Sequence, residues 1–310
     1  DMERRLNFPR RVIQRVKQAI GDRPLGFRLS ADEFTPDGNS AEDMRIIAKK
    51  LVEFGCDMLH VSIGLGATSF DKIIEPMSMP EGWRLPYAKA IKEVVDVPVI
   101  SVGQIRWPAT AEQAIADGSC DLIALGRPLL ADPAWANKAK FGQSIRPCTS
   151  CNYCITLSDS DLGHVSCAEN PLTGQELMTP LDAGESRGKK AIVIGAGPGG
   201  MSASLILQKA GFKTELYESR AVLGGGLIVS AAPPFKDKLD WYREYLIEQL
   251  EQSGVTIHVN HPASIEQIKQ SNPHIVVLAN GGEVNQLNIE GDNNALVRDA
   301  YELLMGEKVD

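Results

Sequence analysis

Four times between Pro24 and Gly126 a short aliphatic segment is followed by a helix-forming stretch, and that alternation leaves few folds open. The aliphatic segments are PLGFRLS, DMLHVSIG, PVISVG and CDLIALG; FPRRVIQRVKQAI precedes the first. AEDMRIIAKKLVEFG, LPYAKAIKEVV and TAEQAIADG follow the first three in turn, and a last helix is expected to open at Asp132-Pro133. Strands returned by helices imply a parallel sheet with right-handed crossovers. A doubly wound sheet and a (β/α)8 barrel both fit.

The residues at the strand ends favour the barrel. Barrels carry their chemistry on the loops after the strands, and a phosphate site is commonly built after the seventh and eighth. Here the third segment runs into Gly103-Gln104 and the fourth into Gly126-Arg127. Glycine lets backbone amides approach a phosphate, and arginine supplies paired donors. If these are strands seven and eight, Arg28 ends strand five and points into the barrel mouth, where a fixed positive charge could stabilise an anionic flavin ring. The alternative is an ion pair with Asp32 or Glu33. His60 lies within a strand and reads as a packed core histidine. A complete barrel needs ~250 residues, and only about 140 precede the cysteines, so the sequence is expected to be cut at its N-terminal end.

Residues 148–167, CTSCNYCITLSDSDLGHVSC, hold four of the six cysteines. Cys148, Cys151 and Cys154 are spaced i, i+3, i+6, and Cys167 follows later. Three thiolates on one tight loop with a fourth further on suit the corners of a [4Fe–4S] cluster. Structural zinc usually takes two spaced pairs, although His164 keeps that ion in view. Nothing at the start of the chain reads as a secretory signal, which argues against disulfides. Cys56 and Cys120 stand apart, each before an aspartate, and read as small buried hydrophobes.

At 310 residues the chain exceeds what one core usually supports, so two domains are expected. Its net charge of −8 lacks the basic balance of a nucleic-acid-binding protein. No apolar run approaches the ~20 residues that span a bilayer. The expectation is a cytoplasmic chain acting on small molecules, with no nucleic-acid or membrane partner and with homo-oligomerisation left open.

After a connector rich in Pro, Gly and polar residues (168–188), the strand AIVIG runs into Gly195-Ala196-Gly197-Pro198-Gly199-Gly200 and a helix. Gly195 makes the tight turn, Gly197 leaves room for a pyrophosphate, and Gly200 lets helix and strand pack closely. Glu218 closes the next strand, placed to accept from an adenosine ribose, which favours FAD or NAD over NADP. Gly225, within Gly224-Gly225-Gly226, and the turn Asn280-Gly281-Gly282 give further points of close backbone approach, or are ordinary tight turns. The expected organisation is α/β throughout: the C-terminal half of a TIM barrel (1–142), an iron–sulfur segment and linker (143–188), and a Rossmann-like FAD/NAD(P)-binding domain (189–310).

FRLS, VSIG, ALGRPLLADP, the CxxCNxC run with its later C-x-x-NP, GAGPGG and the LGG after Glu218, in this order, resemble the iron–sulfur flavoenzymes related to old yellow enzyme. These include 2,4-dienoyl-CoA reductase, 2-enoate reductase, the bile-acid oxidoreductases and trimethylamine dehydrogenase. The resemblance implies FMN contacted by Arg28 and held by Gly103, Gln104, Gly126 and Arg127. It implies a cluster on Cys148, Cys151, Cys154 and Cys167, and FAD on Gly195, Ala196, Gly197, Gly200, Glu218 and Gly225. It also implies an NAD(P)H-binding insertion led into by MGEKVD, so that the sequence is expected to be cut at its C-terminal end too. Gly66 stands where dienoyl-CoA reductases carry histidine, Gln104 where relatives often carry a basic residue, and Gly226 where several carry Gln or His. The proton-donating tyrosine would lie on the fourth barrel strand, and no catalytic residue is assigned.

A nicotinamide gives up two electrons at once, a cluster accepts one, and a flavin does either. The expected path runs from NAD(P)H to FAD, the cluster, FMN and an alkene conjugated to a carbonyl. The alternative expectation is an amine dehydrogenase that passes electrons from an amine through FMN and the cluster to an external acceptor.

Overall fold

The computed structural model describes residues 2–158, 164–177, 186–282, 289–291, 294 and 297–306. The chain divides into two compact units, Asp1–Asn170 and Pro171–Asp310. Part of the connector and most of the MGEKVD stretch fall outside the described residues. Among the described residues, no helix is long and apolar enough to cross a membrane.

In the first unit, β1 (Gly26–Ser30), β2 (Met58–Ser62), β3 (Val99–Val102) and β4 (Leu122–Ala124) form one parallel sheet in the order β1-β2-β3-β4. The order never reverses, as in a barrel wall and unlike a doubly wound sheet. The helix Ala41–Glu53 shows why the intervening segments fold as they do. Ser40 and Asp43 close a capping box at its start, satisfying amides that have no partner within the helix. Met44, Ile47, Ala48 and Leu51 then fall on one buried face. They pack with Leu6 and Ile13 of the helix Met2–Ile20, and with Leu29, Leu59 and Val61 of the sheet. Each such fully buried aliphatic side chain contributes roughly 1.5–3 kcal/mol.

Two junctions repeat one construction. Asp57 accepts from the Leu25 amide at 2.7 Å and from Lys17 at 3.0 Å. Asp121 accepts from the Val99 amide at 2.8 Å and pairs with Lys92 at 2.5 Å. In each case an aspartate just before one strand holds the start of the preceding strand and a lysine of the helix before that. These bonds hold both carboxyls below their ordinary range, the Leu25 amide leading for Asp57 and Lys92 for Asp121. The neighbouring Cys56 and Cys120 are buried, as the sequence suggests, and burial pushes the Cys56 thiol up to about 11.

One helix boundary differs from expectation. Asp132-Pro133 does not open a helix: the short helix Arg127–Ala131 ends before it, and the next begins at Trp135. The Asp132 carboxylate instead accepts from the amides of Ala134 and Arg146 and from Lys138, so it fastens the turn.

In the second unit, β5 (Lys190–Ile194), β6 (Lys213–Tyr217), β7 (Thr256–His258) and β8 (Ile275–Leu278) form a parallel sheet ordered β7-β6-β5-β8. The chain steps outward from β5 to β7 and then returns to the other side of β5. That reversal opens a crevice beyond the C-terminal ends of β5 and β8, where ligands of such sheets bind. Val193, Met201, Leu216, Leu246 and Leu250 form the core under it.

Candidate cofactor sites

Arg28 does not end its strand: it is the third of the five residues of β1 and lies in register opposite His60, the third of β2. One nitrogen of its guanidinium is 3.3 Å from the His60 ring and another donates to Ser62 at 3.0 Å. Neither Asp32 nor Glu33 is its partner: Asp32 caps the Phe34 amide, and Glu33 binds Asn39. His60 is half-buried beside Arg28 rather than packed in the core. Burial first, and then the Arg28 charge, lower its affinity for a proton, so Arg28 carries the charge there.

Gly103 sits at φ 116°, a conformation that favours glycine. A side chain there would strike Arg84 and come within 2.8 Å of the Glu75 carboxylate. Glu75 is 1% exposed and pairs with Arg84 at 2.5 Å and Arg127 at 2.6 Å. The residues expected to cradle a phosphate therefore surround a buried carboxylate. Burial, together with the like charges of Arg127 and Arg28, pulls Arg84 below its usual range, and Glu75 opposes that. Gly126 caps the helix Arg127–Ala131, with open space beside its Cα. Gln104 turns toward Arg106 and Ser150.

The cysteines lie in the first unit, and all six in the chain are free. Cys148 and Cys154 are buried, Cys167 half-buried and Cys151 exposed. Burial pushes their thiols up, Cys151 to about 11. The Cys167 thiol donates to Glu169 at 3.1 Å. Among the described residues no three His, Cys, Asp or Glu side chains converge on a point that could hold a metal ion. In kind and number the four unpaired thiols fit a thiolate-bound cluster. Residues 159–163, between Cys154 and Cys167, lie outside the described residues.

In the second unit the glycine turn takes the shape its spacing suggests. Gly195 has φ 99°, and a side chain on it would strike the Ala279 backbone after β8. A side chain on Gly200 would strike the Gly195 carbonyl. Gly197 lies so close to Gly225 that a Cβ on Gly225 would be 2.9 Å from its Cα. Gly197 also caps the helix Pro198–Lys209, whose free amides suit a phosphate. Glu218 is buried; its carboxylate accepts from the Ala196 amide at 2.8 Å and the Arg220 amide at 2.9 Å. Gly195, Ala196, Gly197, Gly200, Glu218 and Gly225 thus meet at the crevice.

Sequence reasoning missed Glu75, Glu81, Arg84 and Arg106. Glutamates and arginines scattered through loops carry no spacing signal. The one available clue was Arg106 standing two residues after Gln104 in GQIR.

Comparison with known proteins fits this geometry. Residues 1–145 match the NADH:flavin oxidoreductase / NADH oxidase family, and residues 193–233 match an NAD(P)-binding Rossmann-like domain. The chain is 41% identical to an NADH oxidase of Thermoanaerobacter brockii over 98% of its length, covering 48% of that protein. It is 36% identical to a cinnamate reductase of Clostridium sporogenes over 99% of its length, covering 49% of that protein. Among solved structures, a 2-naphthoyl-CoA reductase superposes with a TM-score of 0.90 at 25% identity, over 99% of this chain and 47% of that one. Other matches are named as amine dehydrogenases. The chain spans about half the length of the curated relatives it matches.

Proposed function

The chain belongs to the NADH:flavin oxidoreductase / NADH oxidase family, and on that premise we propose that it is part of an NAD(P)H-dependent reductase of carbon–carbon double bonds conjugated to a carbonyl. On this reading the first unit is the C-terminal half of a (β/α)8 barrel. Arg28, Gly103, Gln104, Gly126 and Arg127 would hold FMN there. Cys148, Cys151, Cys154 and Cys167 would hold a [4Fe–4S] cluster, and Gly195, Ala196, Gly197, Gly200, Glu218 and Gly225 would hold FAD. When bound, flavins and cluster together supply the exchange between hydride and single-electron chemistry that a nicotinamide donor requires.

The observation that carries the reading is that a glycine–arginine cradle and a dinucleotide turn occur in one chain, each at the C-terminal ends of a parallel sheet. Arg28, steadied by His60 and Ser62, offers a fixed positive charge to an anionic ring edge. Glu218 stiffens the glycine turn through the Ala196 amide. A ribose hydroxyl would share that carboxylate.

The amine dehydrogenases among the matches favour a second reading, oxidation of an amine with electrons delivered outward. Anaerobically purified full-length protein separates the two. NAD(P)H oxidation that depends on cinnamate, with FMN, FAD, iron and acid-labile sulfide all present, supports the reductase. Dye reduction that depends on dimethylamine and needs no nicotinamide supports the dehydrogenase.

A further inference from the structure

Arg106 is 2% exposed, and every nitrogen of its guanidinium has a partner. Nε donates to the Cys148 carbonyl at 2.6 Å. One Nη donates to the Ser150 hydroxyl at 2.5 Å and to Gln104, and the other pairs with Glu81 at 2.5 Å. Its own carbonyl accepts from the Trp135 indole at 2.6 Å, which fixes the base of the side chain. A planar fork placed this way grips a loop at several points at once, as a lysine ammonium does not.

What it grips is strained. Ser150 and Asn152, flanking Cys151, both lie in the left-handed region, with φ 57° and 61°. Such conformations in residues other than glycine persist where the surroundings over-determine them, and they cluster at functional sites. Each is held by a guanidinium from a different segment, Ser150 by Arg106 in the loop after β3 and Asn152 by Arg127, the first residue of the helix after β4.

We propose that Arg106 is a positioning residue for the cysteine run: its fork sets the backbone at Cys148–Ser150 in the shape that receives an iron–sulfur cluster and keeps a buried positive charge beside it. The proposal rests on the cluster reading above. Groups that orient ligands in this way tune both how firmly a metal is held and its potential.

The test is anaerobic reconstitution of the chain with iron and sulfide in the native form and as Arg106→Lys, Arg106→Gln and Ser150→Ala. Iron release to a chelator and midpoint potential are read, and circular dichroism reports the fold. Arg106→Lys keeps the charge and loses the fork, so it releases iron about 10–100-fold faster at nearly unchanged potential. Arg106→Gln also moves the potential to more negative values, because a positive charge favours the reduced cluster. Ser150→Ala shows faster release alone, and together with Arg106→Lys it decides the matter if Arg106→Gln does not fold. Native-like release from both Arg106→Lys and Ser150→Ala overturns the proposal while leaving the cluster in place. A native chain that takes up no iron and sulfide overturns the cluster reading, and this proposal with it.

Discussion

The Glu75 carboxylate stands 2.6 Å from Arg127, although 52 residues separate them in the chain. It also stands 2.5 Å from Arg84, so one buried anion faces two guanidiniums. Glu75→Ala would leave the buried Arg84 and the half-buried Arg127 without their counter-ion, a change expected to cost about 3–5 kcal/mol. Urea unfolding of the first unit measures it. Inorganic phosphate should restore part of the loss by binding between the arginines.

Gly199 and Gly200 are neighbours with opposite tolerance. A side chain on Gly200 meets the Gly195 carbonyl, and one on Gly199 meets nothing within 4 Å. Gly200→Ala is expected to lose dinucleotide binding and about 1–3 kcal/mol of stability. Gly199→Ala should leave both intact. Thermal unfolding and titration with FAD compare the two.

Glu218 holds the turn through two backbone amides. In Glu218→Gln one acceptor oxygen becomes an N–H donor facing another donor, which costs about 1.5–3 kcal/mol. Affinity for ADP, read by calorimetry, should fall by roughly one to two powers of ten.

The buried Cys56 thiol gives a pH signature. Its folded value is pushed up to about 11 by burial, and the unfolded value lies near 8.5. Between those values the folded chain keeps a proton that the unfolded chain releases. Stability therefore falls as pH rises through that window, by up to about 1.4 kcal/mol per pH unit for this one group. Cys56→Ala should make the fall shallower by this one group's share, the other buried thiols keeping theirs, as urea midpoints across the window would show.

Strands, helices and the glycine turn were legible because backbone requirements leave periodic marks: alternating segments, and Gly195 and Gly200 at fixed spacing. The long-range polar network was not. Glu75, Arg84 and Arg106 act through three-dimensional proximity, and Arg106 reaches a carbonyl 42 residues away. The helix expected to open at Asp132-Pro133 begins at Trp135 instead, for a related reason. A carboxylate beside proline looks like a helix start, but one of its oxygens holds Arg146 and Lys138, further along the chain, and the other takes the Ala134 amide in the turn before the helix.

The twin aspartate ties lie at the strand starts, while Glu75 and the cysteine run lie with the loops at the strand finishes. The first unit thus has a foundation and a worktop. Because Asp57 and Asp121 anchor the framework from below with one recurring joint, the loops above can change in sequence while the frame stays as it is. The same separation makes the unit modular: helix, strand, helix, strand, fastened once and then fastened again the same way.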